Sequence, residues 1–270
     1  MLSFIKTNSF NAVAPGQTAT LALPTSQKYH GIQITYKSSG VDATAAQMKA
    51  DITQVRLKVN GKVQRVFSAT QLFVANYDNG HTVIYNGKIQ IFFAEPQRRT
   101  AQGEDALAWG TKDVDSFQVE VDIAGTALAP SMSAEVLVDP VNTVMGPIIK
   151  WRTQNVPVTA TGITTTTTFD KNNAYYRIHA FSTDINAVAV IVDQERVLEA
   201  TKGSLDAFYA ANGLLVDPSE TLIAFDPNQR VSSALSMIKN GAPVSEFRVE
   251  WDMAVAASFT VMHEILGQRD

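Results

Sequence analysis

Cysteine is absent from the 270-residue chain. That excludes disulfides, Cys-type zinc sites, iron–sulfur clusters and thiol catalysis. Charge is scarce as well, at 18% Asp, Glu, Lys and Arg against about 25% in an ordinary soluble domain. A chain so poor in charge is expected to hide much of its surface against other copies or partners. Basic excess is missing too. With 22 Lys and Arg against 26 Asp and Glu, the formal net charge is −4, and no block of the chain is strongly basic, so direct nucleic-acid binding is not expected. The first residues, Met1–Asn8, lack a charged segment followed by an apolar run, so they do not read as a secretory signal. The longest apolar runs, such as Ile185–Val192, fall far short of the roughly 18 residues of a membrane span. Synthesis and folding in a cytoplasm are the expectation.

What the chain does contain is short β-rich stretches separated by turns. Hydrophobic residues reach 45%, enough for a packed core in one large domain or two of about 130 residues. Gln54–Val59, Asn60-Gly61 and Lys62–Phe67 make a hairpin signal, because both turn residues accept positive φ. Asn86-Gly87 precedes Lys88–Ala94, in which Ile89, Ile91 and Phe93 share a face. Phe117, Val119, Val121 and Ile123 alternate with Gln118, Glu120 and Asp122, the pattern of a half-buried strand. Ser68–Asn79 reads as a short helix with Ser68 as N-cap and Gly80 as the C′ residue. A further helix is expected near Thr100–Trp109 or Val231–Lys239.

The chain also repeats itself, and the repeat decides the architecture. Residues 51–80 align without a gap on 184–213, with Asp51/Asp184, Ile52/Ile185, Val55/Val188, Val59/Val192, Leu72/Leu205, Asn79/Asn212 and Gly80/Gly213 identical. Phe93-Ala-Glu-Pro96 answers Phe225-Asp-Pro227. Val114–Ala124 answers Val244–Ala254 with six identities in eleven, and Glu135-Val-Leu answers Glu264-Ile-Leu. A matched order of strand, helix and strands indicates tandem duplication of one fold. Copies of about 110–130 residues with short strands suit an all-β protein of two tandem jelly-roll β-sandwiches, a double jelly roll with short helices in its loops. The expected division is a first jelly roll over residues 1–140, a linker over 141–172 and a second jelly roll over 173–270. Pro140, Pro147, Pro157 and the Thr164–Thr168 run suggest the linker.

Candidate chemistry is thin. His30, His81, His179 and His263 are isolated, and no His-x-His followed by Glu marks the metal site of a duplicated cupin; surface or hydrogen-bonded histidines are expected. Glu120 with Asp122, and Glu250 with Asp252, each project from one face of a strand, roughly 6.6 Å apart. Glycosidase carboxylates instead flank a cleft from different elements. These pairs are therefore expected on outward faces, meeting basic residues of a neighbouring domain or subunit. Gly61-Lys62 and Gly87-Lys88 lack the remainder of a phosphate loop, and no serine has a Gly-x-Ser-x-Gly context. Arg98-Arg99 reads as a solvated or intersubunit loop. Trp109, Trp151 and Trp251 are too dispersed for a carbohydrate platform. No catalytic, cofactor-binding or metal-binding residue is assigned, and no enzyme activity is expected.

Two jelly rolls in tandem, in an acidic, cysteine-free chain without catalytic motifs, resemble the double-jelly-roll major capsid proteins of tailless icosahedral viruses. The chain is similar to the small members from marine phages with an internal membrane, the corticovirus and autolykivirus types. The resemblance runs from Ser3-Phe4, Asn8-Ser9 and Pro15-Gly16 through Val55–Val59, Phe117–Ala124 and Tyr176-Arg177-Ile178 to Val249-Glu250-Trp251. It implies a capsid subunit located in the virion and assembled in the host cytoplasm. Three chains would form a homotrimer of pseudo-sixfold outline, and trimers would tile an icosahedral shell over an internal lipid membrane. Other capsid, vertex and membrane proteins of the virion are the implied partners. It leaves structural calcium between subunits open, although no residue pattern indicates it. Short loops would give a low outer surface, with receptor binding left to a vertex protein. The alternative is a tandem β-sandwich that binds a host or glycan, as in a spike or lectin. That reading needs a loop cluster of exposed aromatics, which the chain does not show.

Overall fold

A computed structural model describes residues 2–95, 105–227 and 230–270. It divides into two compact units. The first holds Met1–Asn76, His81–Trp151 and Gln268–Asp270, and the second Tyr77–Gly80 and Arg152–Gly267.

Eight principal strands build the first unit: β1 (Ser3–Lys6), β2 (Thr18–Leu23), β3 (Lys28–Ser38), β4 (Ile52–Val59), β5 (Lys62–Phe67), β6 (Lys88–Phe92), β7 (Phe117–Ile123) and β8 (Pro130–Asp139). Helix α1 (Ala45–Asp51) precedes β4 and α2 (Ala69–Asp78) follows β5. One sheet runs β1-β8-β3-β6, the other β2-β7-β4-β5. Such crossing-over between two four-stranded sheets is the jelly roll. In the second sheet β2 and β7 alternate as the sequence pattern requires, whereas β5 buries the adjacent Gln64 and Arg65. In β7, Phe117, Val119, Val121 and Ile123 are buried while Gln118, Glu120 and Asp122 stay half-buried on the opposite face. The core is aromatic at one end. Trp109 stacks on Phe93 with centroids 4.3 Å apart, and Tyr29 meets Phe117 edge-on at 5.1 Å. The Arg65 guanidinium lies over Phe93, Trp109 and Trp151 at 4.9–5.4 Å, and it donates to the Ile149 and Phe92 carbonyls. A cation can be buried here because ring faces and carbonyls replace its water.

The second half of the chain repeats the plan with β9 (Ile148–Val156, of which Arg152 onward belongs to the second unit), β10 (Gly162–Thr166), β11 (Ala174–Phe181), β12 (Ile185–Val192), β13 (Glu195–Thr201), β14 (Thr221–Ala224), β15 (Phe247–Met253) and β16 (Phe259–Gly267). Helix α3 (Lys202–Ala211) stands where α2 stands in the first unit. The strand orders are β9-β16-β11-β14 and β10-β15-β12-β13, so every strand sits eight places on from its counterpart. The match extends to register. Ile52, Leu57 and Val59 oppose Ile123, Val119 and Phe117, and Ile185, Val190 and Val192 oppose Met253, Val249 and Phe247. The bulge between Ile52 and Gln54 recurs between Ile185 and Ala187. A bulge adds one unpaired residue and bends its strand, so its repetition at the same place is a strong mark of common descent.

The hairpin turn carries a second repeated device. Asn60 has φ +49° and Asp193 φ +48°. The Asn60 carboxamide oxygen accepts from the Asp115 and Ser116 N–H groups at 2.8 and 3.1 Å. The Asp193 carboxylate accepts from the Ser245 and Glu246 N–H groups at 2.8 and 3.1 Å. Each clamp ties a hairpin to the start of the strand beside it, β7 or β15, and so sets that strand's register. The helices are capped alike. Ser68 accepts from the Gln71 N–H and Thr201 from the Ser204 N–H, and Gly80 and Gly213 end the turns at φ +85° and +79°.

Two expectations need correction. The stretch 141–172 is not a free linker: β9 and β10 occupy it, and β10 pairs with β15 from Gly162↔Met253 to Thr166↔Val249. The Thr run looks like a linker because its outward residues are polar, yet β-branched threonines suit an edge strand. Val231–Lys239 is not a helix either, but a 3-10 turn at Val231–Ser233 followed by short strand pairs. Residues 96–104, which include Arg98-Arg99 and the start of the other expected helix, lie outside the described residues.

The Asn60 clamp is testable by urea denaturation. Asn60→Gly keeps the positive φ but removes the acceptor, and should cost about 1 kcal/mol. Asn60→Ala loses the acceptor and also strains the left-handed backbone, so it should cost about 1–2 kcal/mol more. An Asn60→Gly variant as stable as wild type would show that the bonds to Asp115 and Ser116 carry nothing.

Candidate functional site

The paired acidic residues sit on the faces turned away from the two cores. On β7, Glu120 lies directly opposite Arg56 of β4. The Arg56 Nε is 2.9 Å from Glu120 Oε2, and its terminal nitrogens donate to Asp122 at 2.6 and 2.8 Å. Lys58 Nζ reaches Glu120 Oε1 at 2.5 Å and Thr18 of β2 donates to Asp122 at 2.6 Å. The Arg56 and Thr18 hydrogen bonds lower the pKa of Asp122 despite its partial burial. For Glu120, burial opposes ionisation, but Lys58 and Arg56 still bring its pKa below the usual carboxylate range. In the second unit Glu250 is approached by Arg248 of its own strand at 3.4 Å and by Arg196 of β13 at 3.5 Å. The outward orientation agrees with the sequence pattern. The expected partners do not: these basic residues belong to the same sheet, because antiparallel register already places opposite charges side by side.

The two outer faces differ in relief. Ala187 and Ala189 stand at the positions of Gln54 and Arg56, and the small side chains leave an open depression of about 490 Å³ lined by Ile163, Arg196, Glu199, Glu250 and Asp252 among others. One acidic pair therefore borders a shallow hollow, while the other is covered by Arg56.

A buried polar cluster lies on β11, in the second unit. Arg177 and His179 project to the face opposite Tyr175, Ile178 and Ala180, which enter the core. Arg177 is 1% exposed and grips Asp226, which is fully buried, at 2.9 and 3.0 Å, while its third nitrogen donates to Asn79 at 2.9 Å. His179 is fully buried. Its Nδ1 lies 3.0 Å from Glu220 Oε2 and 3.3 Å from Asp78 Oδ2, and its Nε2 lies 3.7 Å from Glu264 Oε1. Burial opposes charge on the ring, yet Glu220, Asp78 and Glu264 hold its pKa well above the ordinary value. Burial also raises the Glu220 pKa, against the pull of His179 and with the support of Asp78. His263, pushed by burial and by His179 to about 3, stays neutral at physiological pH. Of the surface or hydrogen-bonded histidines expected, His30, His179 and His263 are buried rather than on the surface, and His179 hydrogen-bonds Glu220. Their separation in sequence hides the cluster, but Arg177 and His179, two apart within an otherwise apolar strand, were a visible signal of buried pairing.

Both halves of the chain match known protein families. Residues 4–139 match the viral coat protein P2 N-terminal domain, and residues 148–269 match the viral coat protein P2 C-terminal domain. This chain belongs to the viral coat protein P2 family. Over 139 residues the coat protein is 27% identical to the major capsid protein P2 of Pseudoalteromonas phage PM2, a match spanning 50% of this chain and 49% of that protein, about half of its length. Its fold superposes on the crystal structure of the major capsid protein P2 from bacteriophage PM2 with a TM-score of 0.88, covering 100% of this chain and 98% of the other at 20% identity. The STIV MCP shares the fold at a TM-score of 0.73 and 11% identity, with 98% and 96% covered. The double jelly roll expected from the sequence is thus the fold of the coat protein.

Two tests follow from these charges. Asp226→Ala leaves Arg177 buried without its counter-charge and should cost about 3–5 kcal/mol in chemical denaturation, most of it recovered by an R177M/D226L double variant. If Asp226→Ala were tolerated within about 1 kcal/mol, the pair would not be holding β11. Arg56→Gln tests the outer face. Glu120 and Asp122 have lowered pKa values in the fold, so their stabilisation is complete at neutral pH and lost as pH falls through those values. Wild type should exceed Arg56→Gln in stability at pH 7, and the gap should close on acidification below about pH 4. A gap independent of pH would mean that Arg56 acts through packing alone.

Proposed function

We propose that this coat protein is the major structural subunit of an icosahedral virion, built from homotrimers and without catalytic chemistry of its own. The observation that carries the reading is the match of both halves, in order, to the two P2 coat domains over residues 4–139 and 148–269. In this reading each chain supplies two sandwiches, one from residues 1–140 and one from 173–270 together with the strands of 141–172. A threefold axis then places six sandwiches around a centre and closes the ring through heterologous contacts. Those contacts repeat between unlike flanks, and the trimers tile a shell over an internal membrane, with vertex and membrane proteins as further partners. Assembly takes place in the host cytoplasm.

The surface supports such contacts. Charged residues are scarce, so few must be desolvated or paired at an interface. Edge strand β1 is exposed along its length, with Phe4 56% exposed. Val83 and Tyr85, each 61% exposed, flank Ile84 in the segment before β6. Isolated apolar residues on a surface are ordinary, but three in a row on one loop are the kind of patch that a partner covers.

Light scattering on the purified chain tests the proposal. With a chain mass of 29.3 kDa, the expected species is three times that, about 88 kDa, and it should persist on dilution because obligate interfaces commonly bury on the order of 2,000 Å² or more. A stable monomer at micromolar concentration at every salt level would overturn the trimer.

A further inference from the structure

Asp78, His179 and Glu220 present one donor atom each, all three within 4.8 Å of one another and all from buried residues. They come from three rigid places: the last residue of α2, the middle of β11 and the residue before β14. Three observations separate this group from a chance gathering of charge.

The first is what each donor leaves unmade. Asp78 is anchored through Oδ1, which accepts the Asp217 N–H at 3.1 Å. Its Oδ2, buried, has no hydrogen bond, and neither has Glu220 Oε1. Residues 1% and 0% exposed thus hold two carboxylate oxygens that make no hydrogen bond, beside the single charge of the His179 ring, and burial makes such oxygens costly.

The second is spacing. His179 Nδ1 is 3.0 Å from Glu220 Oε2 and 3.3 Å from Asp78 Oδ2. Ligands about 2.0–2.1 Å from a common metal ion lie roughly 3.0 Å apart along an octahedral edge and roughly 3.3 Å apart along a tetrahedral one. The free Glu220 Oε1 allows that carboxylate to chelate through both oxygens, which brings the donor atoms to four.

The third is the far side of the ring. His179 Nε2 points toward Glu264 Oε1 at 3.7 Å. A carboxylate on the remote nitrogen can hold a proton there while a metal ion displaces the one on Nδ1, the outer arrangement common to metal-bound histidines.

We propose that Asp78, His179 and Glu220 form a binding site for one first-row divalent cation, of the Zn²⁺ or Mn²⁺ type. Two carboxylates and a neutral imidazole balance its charge. One nitrogen and carboxylate oxygens suit these ions, whereas Ca²⁺ and Mg²⁺ prefer all-oxygen shells. The ion would pin the Tyr77–Gly80 segment, β11 and the Asp217–Glu220 turn of the second unit to one another, a staple in a chain that has no disulfide to serve instead.

The test uses the full-length chain, stripped with a chelator and dialysed, then offered Zn²⁺, Mn²⁺, Ca²⁺ or Mg²⁺. Elemental analysis after dialysis should find about one Zn²⁺ or Mn²⁺ per chain. At a hundredfold excess over the dissociation constant, the melting temperature should rise by about 5–10 °C, with little response to Ca²⁺ or Mg²⁺. Glu220→Gln keeps the side-chain shape and removes one anionic ligand. It should weaken binding by about a hundredfold or more while the metal-free protein melts no lower than wild type. Glu199→Gln, on the outer face of the same unit, should bind as wild type. The proposal fails if Zn²⁺ and Mn²⁺ leave the melting temperature unchanged, if Glu220→Gln responds like wild type, or if Ca²⁺ alone protects; the cluster would then hold protons, or the ion would sit elsewhere.

Discussion

The pairing of β4 with β7, repeated by β12 with β15, is the constraint from which the rest of the molecule follows. A strand has period two, so a register slip of one residue would turn Val119 and Val249 outward and Glu120 and Glu250 into the cores. The bulges after Ile52 and Ile185 and the clamps of Asn60 and Asp193 prevent that slip from both ends of each hairpin. Once register is set, the outer faces are set too. Arg56 falls opposite Glu120, and Ala189 falls opposite Glu250.

Duplication preserved the frame and released the surface. The positions that hold Gln54 and Arg56 in one unit hold alanines in the other, which turns a charge-laced face into an open hollow. Nothing in the sandwich core requires either face, since both lie on the far side of the sheet. A jelly roll used twice can in this way present unlike flanks, as the proposed threefold ring requires.

Buried charge is concentrated at β11. Arg177 with Asp226, and His179 with Glu220 and Asp78, sit in a medium that punishes any unpaired partner. Such groups contribute little net stability when satisfied, but they penalise alternative packings heavily. They make the arrangement around β11 close to all-or-none. In the first unit Arg65 has a comparable effect, enclosed by aromatic rings and carbonyls.

From the sequence alone came the strand alternation of Phe117–Ile123, the hairpin at Asn60-Gly61, the Ser68 cap and the repeat of 51–80 in 184–213. All of these are local or periodic, and local geometry is written in residue order. The same locality explains the errors. Polar Thr164–Thr168 reads as a linker because the strand β15 that pairs with it lies more than eighty residues on, and the acidic pairs seem to need a distant partner because strand neighbours are invisible without register. Asp78, His179 and Glu220 are separated by 101 and 41 positions, so no spacing rule joins them. Only the tertiary structure decided that cluster, because burial removes water from all three side chains at once and makes their mutual distances, rather than their order, the quantity that matters.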